Sequence, residues 1–196
     1  AANKLISLGI DKKYIYNMGS IGAYNISKLK KLTGLQLRKK LGIKNKLPNI
    51  LISYHTETLA KDYGILNFEK ILKTLKFYKN YNLIIFKPNF DPKNNKINNI
   101  INKFSAKRKN VYVIKSLEQV TYLSLMKTAK LLIGNSSSGI IEAPSLKIPV
   151  INIGKRQEGR IMSKNIINCK NIHLLKQATN LAVSKKFNKK IQKLKN

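Results

Sequence analysis

The chain alternates short apolar runs with longer segments in which apolar residues recur every three or four places. The runs at 50–54, 83–86, 111–114, 131–133 and 150–153 are rich in Ile, Leu and Val and are bounded by Asn, Pro, Gly or Ser. That is the pattern of strands buried on both faces. Residues 67–78 set Phe68, Ile71, Leu72 and Leu75 on one helical face, and 97–104 and 117–128 read as further helices. A Lys-rich amphipathic stretch at 27–41, with a break at Gly34, predicts one or two helices, and 1–10 reads as a helix end closed by Gly9. Residues 14–18 form a short β-prone run, followed by the turn Gly19-Ser20-Ile21-Gly22. Past the fifth run, 162–172 is expected as a loop with room for a short strand, and 172–183 as a helix. The alternation of strand and helix implies right-handed crossovers and a parallel sheet with helices on both faces, a Rossmann-like α/β domain. At 196 residues, one domain over 1–196 is the expectation.

The terminal stretch 184–196 places Phe187, Ile191 and Leu194 on one face with lysines around the rest. It suits a helix packing its apolar stripe on the domain, and also a basic tail for RNA or an anionic membrane. The packed helix is the commoner outcome.

Chemistry concentrates around the fourth and fifth runs. Gly134-Asn135-Ser136-Ser137-Ser138-Gly139 joins a strand to a helix, and Lys155-Arg156-Gln157-Glu158-Gly159-Arg160 follows the next strand. A turn of Gly, Asn and Ser leaves backbone N–H groups unencumbered where the helix dipole is positive, which suits a phosphate. Glu142, inside the helix's first turns, offers an acceptor for sugar hydroxyls, and Arg156 and Arg160 return as planar cationic forks. The same small residues are also ordinary N-caps, and spacing alone leaves both readings open. The G-x-S-x-G elbow, Walker loop and dinucleotide fingerprint are all absent from this sequence.

The net charge of +31 invites a nucleic-acid reading, but 35 of the 39 basic residues are Lys and they spread along the whole length. Aromatics do not interleave with them as in single-strand binders, so non-specific, salt-sensitive polyanion binding is the expectation. The single cysteine, Cys169, excludes an internal disulfide, and His55, His173 and Cys169 have no metal-ligand spacing. The sequence shows neither a signal-peptide pattern nor a bilayer-length apolar run, which makes the cytoplasm the expected location. Its eight acidic residues are Asp11, Glu57, Asp62, Glu69, Asp91, Glu118, Glu142 and Glu158. Acid/base work on a sugar needs carboxylates gathered in one cleft, so a full catalytic set within this chain is not expected.

Gly134-Asn135-Ser136-Ser137-Ser138-Gly139, Glu142-Ala143, Pro149-Val150-Ile151-Asn152 and Gly154-x-Arg156-Gln157-x-Gly159-Arg160 together resemble the signature of the UDP-N-acetylglucosamine 2-epimerase family. More narrowly they resemble its hydrolysing branch, which feeds sialic acid and related nonulosonic acid synthesis. The non-hydrolysing branch has an acidic residue and a Gly pair where this chain has Asn135 and a serine run. The resemblance refines the fold to the C-terminal domain of a glycosyltransferase-B-type enzyme. It makes 1–22 a crossing segment between domains, with Asn17, Gly19, Ser20 and Gly22 beside the nucleotide. It implies that Ser136, Ser137, Ser138, His55 and Arg156 hold a diphosphate and Glu142 a ribose. Arg160 would support the phosphates or the loop, Asn89 would lie near the nucleotide, and the backbone at 116–117 would hold uracil.

His55-Thr56-Glu57-Thr58 matches the family's His-Pro-x-Thr at His55 and Thr58, with Thr56 in place of Pro. His55 is therefore the expected catalytic residue, its charged form stabilising the departing UDP. The implied reaction removes the C2 proton of UDP-N-acetylglucosamine or a related UDP-acetamido sugar. UDP then leaves, and water adds to the glycal with C2 inverted. Neither metal nor other cofactor is implied. The resemblance spans about half of such an enzyme, so an N-terminal Rossmann-like domain, in cis or in trans, is an expected partner. The chain alone is expected to be inactive, and a homo-oligomer is among the expected assemblies. The rival readings are a polyanion- or RNA-binding domain without sugar chemistry and the nucleotide-sugar domain of a glycosyltransferase.

Overall fold

The computed structural model describes residues 2–18, 24, 26, 28–88 and 93–194, so Gly19, Ser20 and Asn89 lie outside the described residues. Strands β1 (Asn49–Ser53), β2 (Asn82–Phe86), β3 (Val111–Ile114), β4 (Ala129–Gly134), β5 (Val150–Ile153) and β6 (Ile166–Cys169) pair in parallel throughout. Their order in the sheet is β3-β2-β1-β4-β5-β6. Among the described residues the helices with complete bounds are α1 (Ala2–Ser7), α2 (Gly34–Leu41), α3 (Ile65–Leu75), α4 (Asn94–Ser105), α5 (Gln119–Thr128), α6 (Ser138–Ile141), α7 (Ala143–Leu146), α8 (Leu175–Val183) and α9 (Lys185–Gln192).

The strands read as continuous apolar runs because each face of the sheet is covered, and their period-two alternation sorts side chains between two cores. Ile50, Ile52, Leu83, Ile85, Leu131, Ile133, Ile151 and Ile153 point to one face, against Phe68, Ile71 and Leu75 of α3, Ile97 and Ile101 of α4, and Leu175 and Ala182 of α8. Leu51, Ile84, Leu132 and Val150 point to the other, against Leu37 of α2, Leu123 and Met126 of α5, and Leu146 of α7. This is the Rossmann-like α/β sheet that the strand–helix alternation predicts. Among the described residues no helix is long and apolar enough to cross a membrane.

Three local expectations are corrected. Gly34 does not break a helix but opens α2, because Thr33 and Gln36 form a capping box in front of it. Residues 14–18 form no strand: Lys12–Tyr14 is a 3-10 turn capped by Asp11, and Tyr14, Tyr16 and Met18 are exposed. The helix after the serine turn is two one-turn helices, since Pro144 has no N–H to continue the ladder from α6 into α7. The short strand for which 162–172 left room is present as β6, paired with β5 at the sheet edge. At the C-terminus, α9 buries Ile191, and Lys147 and Gln192 exchange side chain-to-carbonyl hydrogen bonds of 3.0 Å.

Candidate functional site at the strand switch point

The chain leaves β1 toward β2 and later returns on the opposite side of β1 as β4, so the loops after β1 and β4 diverge above their carboxyl ends. In open α/β sheets this divergence forms the binding crevice. Here the two strands approach very closely at that end. Gly134 pairs with Ser53 and has φ +144°, a conformation that L side chains rarely adopt.

Asn135 follows directly and is fully buried. Its Oδ1 accepts from the His55 N–H at 2.7 Å and its Nδ2 donates to the His55 carbonyl at 2.8 Å. Its own N–H donates to the Ser53 carbonyl at 3.1 Å. Its carbonyl in turn accepts from Gln157 Nε2 at 2.8 Å and from Arg156 Nη1 at 3.3 Å. One asparagine thus gathers the loops that follow β1, β4 and β5.

The serine turn is ordered by hydroxyls. Ser136 Oγ and Ser138 Oγ lie 2.9 Å apart, and Ser138 Oγ is 2.6 Å from Tyr122 Oη on α5. Burial pushes the Tyr122 phenol up and the nearby Glu142 charge acts in the same direction, against the Ser138 hydrogen bond. That phenol keeps its proton at neutral pH. Ser137 ends the turn as the residue before α6. Glu142 closes α6, its N–H donating to the Ser138 carbonyl at 3.1 Å. Its carboxyl is half-buried, and Oε2 is out of reach of solvent with no partner among the described residues.

Burial raises the Glu142 pKa, with its own backbone N–H opposing. The folded carboxyl therefore holds its proton to higher pH than the unfolded one does. Its contribution to stability is greatest below the ordinary glutamate range and is lost as pH rises through the raised folded value. Glu142→Gln removes that loss, so the variant should be more stable than the parent at pH 7. The advantage should shrink on acidification, as read by denaturant titrations at several pH values.

An open cleft of about 710 Å³ lies beside the Asn135 junction, lined among others by Thr56, Glu57, Thr58, Leu59 and Arg156. Glu57 is only 9% exposed, and its two oxygens accept from Tyr54 Oη at 2.7 Å and from the Lys155 N–H at 2.9 Å.

The structure thus brings together His55, Ser136, Ser137, Ser138 and Arg156, with Glu142 one helical turn beyond Ser138. Arg160 is exposed, and among the described residues no side-chain hydrogen bond or ion pair ties it to this cluster; its N–H donates to the Gln157 carbonyl at 3.3 Å. The sequence alone assigns no role to Asn135, Gln157, Tyr122 or Glu57. Asn135 and Gln157 stand inside the signature, whereas Tyr122 and Glu57 carry no local signal. Among the described residues no three His, Cys, Asp or Glu side chains cluster as metal ligands.

Residues 1–196 match the family model described as UDP-N-acetylglucosamine 2-epimerase. The chain is 39% identical over 185 residues to the GDP/UDP-N,N'-diacetylbacillosamine 2-epimerase (hydrolyzing) of Campylobacter jejuni, covering 94% of this chain and 48% of that protein. It is 34% identical over 166 residues to polysialic acid biosynthesis protein P7 of Escherichia coli, covering 84% and 42% respectively. Its fold matches the S. aureus MnaA-UDP co-structure with a TM-score of 0.73 at 17% identity, covering all of this chain and 52% of that one. The chain spans about half the length of the curated relatives it matches.

Proposed function

Because the chain belongs to the UDP-N-acetylglucosamine 2-epimerase family, we propose that it is the UDP-binding half of a hydrolysing UDP-sugar 2-epimerase. The observation that carries this reading is the convergence at Asn135 of the loops bearing His55, the serine turn and Arg156. In this reading residues 1–196 are a single nucleotide-binding domain, 1–22 crosses to a second domain, and 184–196 is its terminal helix. The partner domain, in cis or in trans, supplies the base for C2.

Serine hydroxyls and the Arg156 guanidinium hold the diphosphate as donors. A charged His55 beside it stabilises the negative charge that grows on departing UDP. Glu142 accepts from ribose hydroxyls, which would satisfy the buried Oε2. Gly19, Ser20 and Asn89 lie beside the nucleotide, and Arg160 supports the phosphates or their loop. With UDP gone, water adds to the glycal and a free 2-epimeric sugar leaves. The relative at 39% identity is named for a diacetamido sugar, which supports a UDP-acetamido sugar as the substrate class. Synthesis of a nonulosonic or sialic acid precursor, in the cytoplasm, is the matching role.

Calorimetry tests the reading. The chain should bind UDP weakly and leave UDP-N-acetylglucosamine unconverted on its own. Glu142→Ala should weaken UDP by about tenfold or more, the loss of hydrogen bonds to a charged group. Unchanged affinity would remove Glu142 from the site, and a wild-type chain indifferent to UDP would remove the site itself. The +31 charge gives the polyanion reading its own test. Single-stranded RNA binding should collapse as salt rises to physiological levels while UDP binding persists. Tight RNA binding at that salt, insensitive to UDP, would reverse the assignment.

A further inference from the structure

We infer that Glu57 is a positioning residue for the diphosphate site, its buried carboxylate fastening the loop that presents Arg156 to the loop that presents His55. The inference rests on the proposed UDP site. Glu57 lies two residues after His55, and its Oε2 accepts from the N–H of Lys155, the residue directly before Arg156. Its Oε1 accepts from Tyr54 Oη, on a ring that is 1% exposed and stacked on Phe68 with centroids 5.5 Å apart. The Glu57 N–H donates to the Tyr63 carbonyl at 3.0 Å, which fixes the side chain's origin. Gly154 completes the fit. It has φ +76°, and a Cβ there would stand 2.6 Å from the Glu57 carboxyl carbon.

The clamp matters because 154–165 is a crossover between parallel strands that has no helix of its own. Such connections ordinarily carry a helix that sets their position. Here the Glu57–Lys155 bond and the contacts of Arg156 and Gln157 with the Asn135 carbonyl take that part. Both Glu57 oxygens are engaged by a backbone amide and a phenol, so the carboxylate's service is geometric. A neutral isostere can supply the same geometry. In Glu57→Gln the amide oxygen accepts from Lys155, and the amide nitrogen donates to Tyr54 Oη. The phenol then directs its proton to the Gly64 carbonyl, already 2.9 Å away.

The test compares Glu57→Ala, Glu57→Gln, Arg156→Ala and the Glu57→Ala/Arg156→Ala double variant of this chain. The readouts are UDP calorimetry and amide hydrogen exchange. Glu57→Ala should weaken UDP about tenfold through misplacement of Arg156, and Glu57→Gln should stay within about twofold of the parent. In the Arg156→Ala background Glu57→Ala should add less than about twofold, since coupled residues are non-additive. Exchange at 155–160 should rise in Glu57→Ala while β1 and β4 stay protected. Parental UDP affinity in Glu57→Ala, multiplicative effects in the double variant, or a Glu57→Gln as weak as Glu57→Ala would each overturn the inference. If the parent chain binds no UDP, the site reading fails, and the clamp is then decided by exchange: unchanged protection of Lys155 in Glu57→Ala ends it. Should Glu57→Ala fail to fold, Gly154→Ala takes its place. It should reproduce the loss, and intact UDP binding there would count against the clamp.

Discussion

Gly134→Ala should lower the unfolding free energy by about 4 kcal/mol or leave no folded protein, the range reserved for forbidden backbone and buried clashes. Gly134 ends β4 at φ +144°. The Cβ of an alanine would sit 2.6 Å from the Ser53 carbonyl carbon and 3.3 Å from the Tyr54 nitrogen. Those atoms cannot rotate away as a flexible side chain would. Ser53 is held by its pairing with Phe86 on one side and Gly134 on the other, and the Asn135 N–H grips the Ser53 carbonyl. Relief requires β4 to move off β1, which breaks the central ladder of the sheet. Denaturant unfolding monitored by far-UV circular dichroism reads the effect. A loss below about 1 kcal/mol would mean the strands separate there cheaply, and the close crossing would not be what shapes the crevice.

The same crossing separates what the sequence disclosed from what it concealed. Strands β1 to β5 were legible because both faces of the sheet are covered, which leaves unbroken Ile, Leu and Val runs. Strand β6 was faint because it lies at the edge with only Cys169 buried. The run at 14–18 misled because β propensity reflects packing on a neighbour, and there Tyr14, Tyr16 and Met18 stay exposed. Gly34 masks the Thr33-x-x-Gln36 box, whose two ends flank it and start α2 there. The serine turn and Arg156 were readable because that chemistry sits in consecutive residues. Tyr122 and the Glu57–Lys155 pair were not. Their partners lie 16 and 98 residues away: Tyr122 reaches Ser138 from α5, and Glu57 meets Lys155 because the parallel sheet brings the loops that follow β1 and β5 to the same end.

Asn135→Ala should destabilise the chain by about 2–4 kcal/mol, two peptide groups of His55 losing partners at roughly 1–3 kcal/mol each with some rescue by water. The methyl of alanine replaces neither the acceptor at 2.7 Å nor the donor at 2.8 Å. The Asn135 N–H and carbonyl bonds to Ser53, Arg156 and Gln157 belong to the backbone and survive the change. The sheet should therefore persist while the loop after β1 loosens. The variant's UDP affinity should fall at least as far as that of Arg156→Ala, about tenfold or more, although the asparagine side chain is spent on His55 and offers nothing to a ligand. Calorimetry on the folded variant, paired with a denaturant curve, separates the two effects. A chain that loses the stability yet binds UDP as before would show that His55 finds its place without Asn135. Undiminished affinity in Arg156→Ala as well would mean that no part of the junction holds the nucleotide.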